Sequence, residues 1–424
     1  MATAVKQVVV VGGGFAGVNL VKELSKNEQF HVTLVDKNNY NFFPPLIYQV
    51  SAGFLEPSNI SYPFRKLFRS KKNVGFRMAQ FLRVEPAENK IVTSNGDVHY
   101  DYLVFATGTQ SNFFGLENVM KHAVPMKTIN DAIELRNYLL QVAEKATITE
   151  SEEERQKLLT IVVAGGGPSG VEISGILAEM RHSVVKKDYP ELREKLWRLY
   201  LVDAGEHVLG PMSTKSQNYT QKSLEKLGVK VMLKTQVKDY VDNEVLLGDG
   251  NKIATATLIW TAGVIAVELP GIPKEVVGRG RRVMVDEFNK VQGTNNIYAI
   301  GDCSLQTTDK NFPGGHPQLA QVAIQQGVNL AKNLSNSLHN REWKPFSYKD
   351  KGSMAIIGRN KAVADIGKLH FNGLFAAGIW AVIHIWSLIN YRNRIKTFFN
   401  WASAYLTRDL ALRFIFRPDK RVED

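Results

Sequence analysis

QVVVVGGGFAG (7–17) decides the fold, because LLTIVVAGGGPSG (158–170) says the same thing again. In the first stretch a run of branched apolar residues enters Gly12-x-Gly14-x-x-Gly17, and Leu20, Val21 and Leu24 then follow at helical spacing. That is a buried strand, a tight turn and a helix. Gly12 permits the turn, Gly14 lets a pyrophosphate approach the backbone, and Gly17 lets helix and strand pack closely. Phe15 and Ala16 complete the turn. The helix start presents free N–H groups and the positive end of its dipole to phosphate. A second strand, HVTLVD, ends at Asp36, 19 residues past Gly17, with Lys37 next. A carboxylate there accepts from ribose hydroxyls, so the segment reads as a dinucleotide site.

The later copy has Gly165, Gly167 and Gly170, with Pro168 and Ser169 inside the turn. A helix start, VEISGILAEM, and a strand, LYLVD, lead to Asp203. The acid comes 33 residues after Gly170, and the polar insertion RHSVVKKDYPELREK (181–195) accounts for the extra length. Asp203 would repel a 2′-phosphate, and Ala204, Gly205 and Glu206 supply no arginine to hold one. This site therefore favours NADH over NADPH. Two such sites in one chain suggest a flavin enzyme supplied by a nicotinamide.

The whole chain has 424 residues, 44% hydrophobic and 22% charged, which is a globular profile of two or three domains. A single cysteine, Cys303, excludes a redox disulfide and any cysteine-rich metal centre, and it reads as a small packed residue; no metal is expected. MATAVKQVVVV carries no charged leader before an apolar core, so no secretory signal is expected. The net charge of +12 points to an anionic partner. ESEEER (150–155) reads as a solvated linker, and the basic runs RKLFRSKK (65–72) and GRGRR (278–282) read as solvated faces.

DYLVFATG (101–108) and TNNIYAIGD (294–302) resemble two further signatures of the two-dinucleotide-binding flavoprotein superfamily. The resemblance implies that Asp302 contacts the flavin ribitol and that Ala106-Thr107-Gly108 closes the flavin domain, so FAD takes the first site and NADH the second. A narrower resemblance is carried by FFPPLIYQVSAG (42–53), PMKTINDAIELR (125–136), WTAGV (260–264), LAQVAIQQG (319–327), GSMAIIGRNKAVADI (353–367) and HIWSLINYRNR (384–394). Together these look like the type II, or alternative, non-proton-pumping NADH dehydrogenases, which are NADH:quinone oxidoreductases. Phe43-Pro44 departs from the pattern, where a small polar residue precedes Pro-Leu.

That resemblance implies an α/β fold with two Rossmann-like dinucleotide-binding domains and a C-terminal amphipathic helical region that anchors to a membrane. The expected division is 1–115 and 266–340 for FAD, 116–265 for NADH and 341–424 for membrane association. Gln321 and Gln325 in Leu319-Ala320-Gln321-x-x-x-Gln325 lie four apart, on one helical face, and the family places this pair beside flavin and quinone. Leu319 and Ala320 belong to the same flavin contact. Glu172 is expected to face the nicotinamide and flavin, orienting the carboxamide or delivering a proton, and Ala262-Gly263 to meet the nicotinamide's outer edge.

LFAAGIWAVIHIWSLI (374–389) is apolar nearly all round but reaches only about 24 Å as a helix, short of the roughly 30 Å bilayer core. His384 within it reads as a packed or interfacial histidine. Beyond it, Ile395, Phe398, Phe399, Ala402, Tyr405 and Leu406 share one helical side, and Lys396, Asn400, Ser403 and Thr407 another. With Trp380, Trp386 and Trp401 this predicts a helix lying in the membrane interface. Residues 391–421 carry eight Lys/Arg against two Asp. The expected partners are NADH, a membrane quinone (ubiquinone or menaquinone) and an anionic bilayer surface; a homodimer stays open and no nucleic acid is expected. The expected location is peripheral, on the cytoplasmic side of the cell inner membrane. A ferredoxin or rubredoxin reductase, or an apoptosis-inducing-factor-like NADH-binding flavoprotein, shares the glycine turns and remains the alternative.

Overall fold

A computed structural model describes residues 5–181, 186–192, 197–407 and 414–415. Part of the 181–195 insertion, and the basic residues Arg408, Arg413, Arg417, Lys420 and Arg421, lie outside the described residues. The chain forms two compact units. One takes the stretch ending at Phe42 with Tyr62–Gln110 and Val264–Lys351. The other takes Phe43–Ser61, Ser111–Gly263 and the stretch from Gly352 onward.

The first unit is organised by a parallel sheet of five strands, in the order Ile297–Ala299, Tyr102–Phe105, Lys6–Val11, Phe30–Asp36, Val74–Met78. Val8, Val9, Val10 and Val11 are all buried, because strands covered on both sides must be apolar without alternation. The helix Phe15–Leu24 covers the glycine strand and packs against the helix Ala320–Ser337. A Cβ on Gly327 would stand 2.5 Å from the Ala16 carbonyl oxygen, so this glycine sets how closely the helices cross.

The second unit repeats the plan. Its parallel sheet runs Val124–Pro125, Thr257–Trp260, Thr160–Ala164, Arg198–Val202, Val229–Met232. In both sheets the glycine strand is central, with the acid-ending strand on one side and the strand entering an Ala-Thr-Gly or Thr-Ala-Gly turn on the other. The internal repeat expected from sequence is thus a repeat of sheet order. ESEEER differs from its expected linker role: Glu152–Leu158 is a helix, capped by Ser151, whose side chain accepts from the Glu154 N–H. Three glutamates in its first turn suit the positive dipole end, which makes this acidic stretch helical rather than extended.

This unit also carries an antiparallel sheet, Ser353–Gly358, Lys361–Ile366 and Leu369–Asn372, laid on the helix Pro168–Met180. The helices Gly373–Ser387 and Tyr391–Thr407 follow. Among the described residues no helix is long and apolar enough to cross a membrane.

Candidate functional site

The two glycine turns fold by the same contacts. Gly12 has φ +105°, and an added Cβ would lie 2.3 Å from the Ala106 carbonyl oxygen. Gly165 has φ +111°, and its Cβ would lie 2.6 Å from the Thr261 carbonyl carbon. A side chain is excluded at both by backbone conformation and by the neighbouring strand. A Cβ on Gly17 would meet the Gly12 carbonyl oxygen at 1.9 Å, and one on Gly170 the Gly165 carbonyl oxygen at 1.7 Å. At Gly14 and Gly167 a Cβ would meet nothing within 4 Å, so internal packing does not require these two glycines. What a Cβ would fill is the approach to the helix start, the space a pyrophosphate needs. Phe15, half-buried, and buried Ala16 open the first helix; exposed Pro168 and Ser169 open the second.

The acids are placed alike. Asp36 Oδ2 accepts the Gly13 N–H at 2.6 Å and its Oδ1 the Asn38 N–H at 2.7 Å. Asp203 Oδ2 accepts the Gly166 N–H at 2.5 Å and its Oδ1 the Gly205 N–H at 2.6 Å. Each carboxylate is oriented by two backbone donors and keeps lone pairs for ribose hydroxyls. Burial raises the Asp36 carboxyl, opposed by those N–H groups and the Lys37 charge. Glu206, just past Asp203, pairs with Lys234 at 2.8 Å. The residues fit a dinucleotide at both turns.

The first unit brings further expected residues to its cradle. Ala106 lies against Gly12, and Val267 N–H reaches the Gly108 carbonyl. Thr107 stands between them, half-buried. Asp302 sits in the short turn Gly301–Cys303, its backbone carbonyl accepting from Gln318 Nε2 at 3.0 Å. Leu319, 38% exposed, precedes the helix begun by Ala320. Gln321 and Gln325 do share a helix face, and both reach one passing strand of chain. Gln321 Oε1 accepts the Lys351 N–H at 3.0 Å. Gln325 spends both ends of its amide on Lys349, accepting its N–H at 3.1 Å and donating to its carbonyl at 2.9 Å.

In the second unit, Ala262 is exposed and Gly263 is half-buried under the Phe114 ring. The Asn112 N–H bonds the Gly263 carbonyl at 3.0 Å, and the Trp260 indole bonds the Asn112 carbonyl at 2.7 Å, fixing this turn beside the second cradle. Glu172 is 8% exposed. Burial drives its carboxyl well above the ordinary range, against the Ile356 backbone N–H, which lowers it. Burial therefore favours the protonated, neutral form of this carboxyl.

Sequence reasoning missed several residues that build these sites. Asn41 Nδ2 donates to the Gly13 carbonyl at 2.7 Å. Gln326, directly after Gln325, is buried and accepts the Gly301 N–H at 2.6 Å, tying the Asp302 turn to the helix. The GRGRR run is corrected at Arg282, which is 7% exposed and donates to the carbonyls of Ser304 and His316. Its guanidinium is part of the interior because those two carbonyls need donors there.

The C-terminal helices turn their apolar side chains outward. Leu374 is 66% exposed, Val382 68%, Trp386 74%, Phe399 65% and Leu406 81%. In Tyr391–Thr407 the buried residues are Asn393 and Thr397, with Asn393 Nδ2 donating to the Ser61 carbonyl at 3.0 Å. Two small polar residues thus face protein, while Ile395, Phe398, Phe399, Tyr405 and Leu406 are exposed. Of the three tryptophans expected at an interface, only Trp386 is exposed; Trp380 is buried and stacks on His384 at 4.1 Å, and Trp401 bonds Gln49. The Trp401 N–H finds an acceptor in Gln49 and the Trp380 ring packs on His384 and Trp401, which draws both inward. His384 is buried, its Nδ1 2.8 Å from the Trp380 carbonyl, and burial pushes its pKa down to about 4. Phe43, the departure noted in the sequence, meets the His384 ring edge-on at 6.0 Å.

Comparisons with known proteins agree with this geometry. Residues 6–327 match the pyridine nucleotide-disulphide oxidoreductase family, and residues 351–409 match the NDH2 C-terminal domain. The type II NADH:quinone oxidoreductase NdhA of Mycobacterium tuberculosis is 35% identical over 422 residues, covering 95% of this chain and 87% of that protein. Ndh of the same organism is 32% identical, covering 95% and 88%. The solved structure of NDH2 from Plasmodium falciparum in complex with NADH shares the fold, with a TM-score of 0.89 at 23% identity over 97% of this chain and all of that one.

Proposed function

From the premise that the chain belongs to the pyridine nucleotide-disulphide oxidoreductase family, and within it to the type II NADH:quinone oxidoreductases, we propose that it oxidises NADH in its second unit and reduces a membrane quinone, using FAD held in its first and translocating no protons. It is an NADH:quinone oxidoreductase. The observation that carries the reading is the pairing of two matching dinucleotide cradles with a pair of helices whose apolar side chains face outward.

The turn Gly12–Gly17, Asp36 and Asp302 would hold FAD, whose isoalloxazine supplies a centre that takes a hydride equivalent from NADH and yields two electrons to a quinone. The protein's own groups bind, orient and hold protons. The Gly165–Gly170 turn receives the pyrophosphate of NADH, and Asp203 accepts from its adenosine ribose. A 2′-phosphate at that carboxylate would meet like charge, so NADPH is disfavoured. Buried Glu172, whose protonated form burial favours, orients the nicotinamide carboxamide by donating a hydrogen bond. Gln321 lines the acceptor site, while Gln325 braces the irregular segment 349–351 that passes it.

The outward apolar side chains and the basic residues Arg392, Arg394 and Lys396 support binding to an anionic bilayer surface without spanning it. We place the enzyme on the cytoplasmic side of the cell inner membrane. The test is steady-state NADH oxidation by the purified yellow protein with ubiquinone, menaquinone and ferredoxin as separate acceptors. Quinone turnover at many times the ferredoxin rate is expected; preference for ferredoxin would replace this reading by a carrier reductase.

A further inference from the structure

The short helix Ile47–Ser51 in the second unit holds two neighbouring polar side chains, Tyr48 and Gln49, which are 3% and 5% exposed. Dinucleotide binding explains neither. Gln49 is clamped at both ends of its amide. Its Oε1 accepts the Trp401 indole N–H at 2.7 Å, and its Nε2 donates to the Tyr48 hydroxyl oxygen at 2.8 Å. An indole nitrogen can only donate. The amide therefore has one permitted orientation, with its carbonyl toward Trp401 and its NH2 toward Tyr48. Turned over, it would set donor against donor at Trp401.

The consequence falls on Tyr48. Its oxygen is an acceptor toward Gln49, so its own proton must be donated elsewhere. No acceptor for that proton is found among the described residues. A buried O–H without an acceptor is costly to the protein, so it signals a group that arrives from outside. Burial raises the phenol above the ordinary tyrosine value, so it is a neutral donor. Trp401 belongs to the helix whose other side presents Ile395, Phe398, Phe399 and Leu406 outward. Two hydrogen bonds thus join the side from which a lipid-soluble molecule arrives to the Tyr48 hydroxyl.

We propose that the Trp401 indole, acting through the Gln49 amide, holds the Tyr48 hydroxyl as a hydrogen-bond donor to a carbonyl oxygen of the quinone. The inference rests on the quinone-reductase reading above and names a group in this unit that meets the acceptor. A quinone carbonyl accepts and cannot donate. A tyrosine free to rotate would satisfy itself on the Gln49 carbonyl; the indole prevents this. Tyr48 is the donor, and Gln49 and Trp401 are positioning residues.

The test uses the full-length FAD-loaded protein on lipid vesicles, with a short-chain ubiquinone and with ferricyanide, an acceptor that has no carbonyl. Rapid mixing separates flavin reduction by NADH from reoxidation. Tyr48→Phe should slow reoxidation by ubiquinone about tenfold, the worth of one net hydrogen bond, with flavin reduction and ferricyanide turnover unchanged. Trp401→Phe frees the amide to turn over and should lower the ubiquinone rate and raise its KM. Adding Gln49→Met to Trp401→Phe removes the competing acceptor and should restore the rate, a rescue that a packing role would not give. Should Tyr48→Phe fail to fold, this pair of Trp401 variants decides alone. An unchanged ubiquinone rate in Tyr48→Phe would overturn the proposal. So would equal slowing of flavin reduction, which would place the donor on nicotinamide or flavin, or a double variant no faster than the single one. Failure of the wild-type protein to reduce ubiquinone at all would overturn the underlying reading instead.

Discussion

Replacing Phe398 and Phe399 together by serine should release the protein from anionic vesicles while leaving it folded. The two rings are 55% and 65% exposed, so they contribute little to the packing of their own unit. Burying a whole phenylalanine side chain in an apolar phase is worth about 1.5–3 kcal/mol. Scaled by the exposed fractions, the pair contributes about 2–3.5 kcal/mol to membrane binding, roughly 30- to 400-fold in partitioning. The stability cost is expected to stay near the level of surface substitutions, about 0.5 kcal/mol each. The assay is flotation with vesicles of phosphatidylcholine and phosphatidylglycerol in equal parts, at low and high salt.

Salt separates the two contributions. Arg392, Arg394 and Lys396 each gain about 1 kcal/mol near an anionic surface, and this is screened within a Debye length. Raising salt should weaken wild-type binding only in part, because the outward Leu374, Phe375, Trp386 and Leu406 remain. In the double serine variant, whose apolar contribution is smaller, the same salt should remove a larger share of the binding that is left. The released protein should keep its yellow colour and its NADH half-reaction. A variant that floats like the wild type would refute the reasoning, as would an intact protein that washes off with moderate salt alone.

Two further outcomes follow from buried titratable groups. Glu172 has a raised carboxyl pKa, so the folded state carries a cost that grows as pH rises above the ordinary glutamate value. Glu172→Gln should therefore raise the melting temperature at pH 7–8 while slowing the NADH half-reaction; a lower melting temperature would mean the carboxyl is ionised and paired. His384 is pushed from 6.5 down to about 4, so the stability it confers is full above pH 6.5 and is lost as pH falls toward 4, by about 3 kcal/mol. Tryptophan fluorescence should report loosening of the Trp380 stack across that window, and His384→Phe should remove the transition.

The parts of the fold visible in the sequence are those with a local cause. A run such as QVVVV needs only its own branched side chains to be a strand, and Gly12 and Gly165 sit where φ is positive and the next strand leaves no room. The same holds for the pairing of each glycine turn with an acid at the end of the following strand. What the sequence did not show depends on partners remote in the chain. Gln325 is engaged by Lys349, Gln326 by Gly301, Arg282 by His316 and Trp401 by Gln49. No spacing rule links residues 352 positions apart. The amphipathic reading of 391–407 found the apolar side correctly, but the inward pull on Trp380 and Trp401 came from acceptors and rings elsewhere in the unit.

The repeat also shows where the two cradles part company. Two residues past the third glycine, the first turn has Asn19 and the second has Glu172. Asn19 donates back to the Phe15 carbonyl of its own helix, a local bond that leaves the helix face unremarkable. Glu172 is covered instead by the antiparallel sheet of the same unit, which meets it with the Ile356 N–H. That sheet can lie so close because Gly175 has no side chain: a Cβ there would stand 1.7 Å from the Ile357 carbonyl oxygen. A glycine one helical turn past the acid thus admits the cover that desolvates it, and desolvation is what raises the carboxyl above its ordinary range. The duplicated turns supply binding in both units. The burial of the carboxyl beside the second turn comes from the added C-terminal sheet, so the two cradles can share a backbone plan and still differ in the acid they carry.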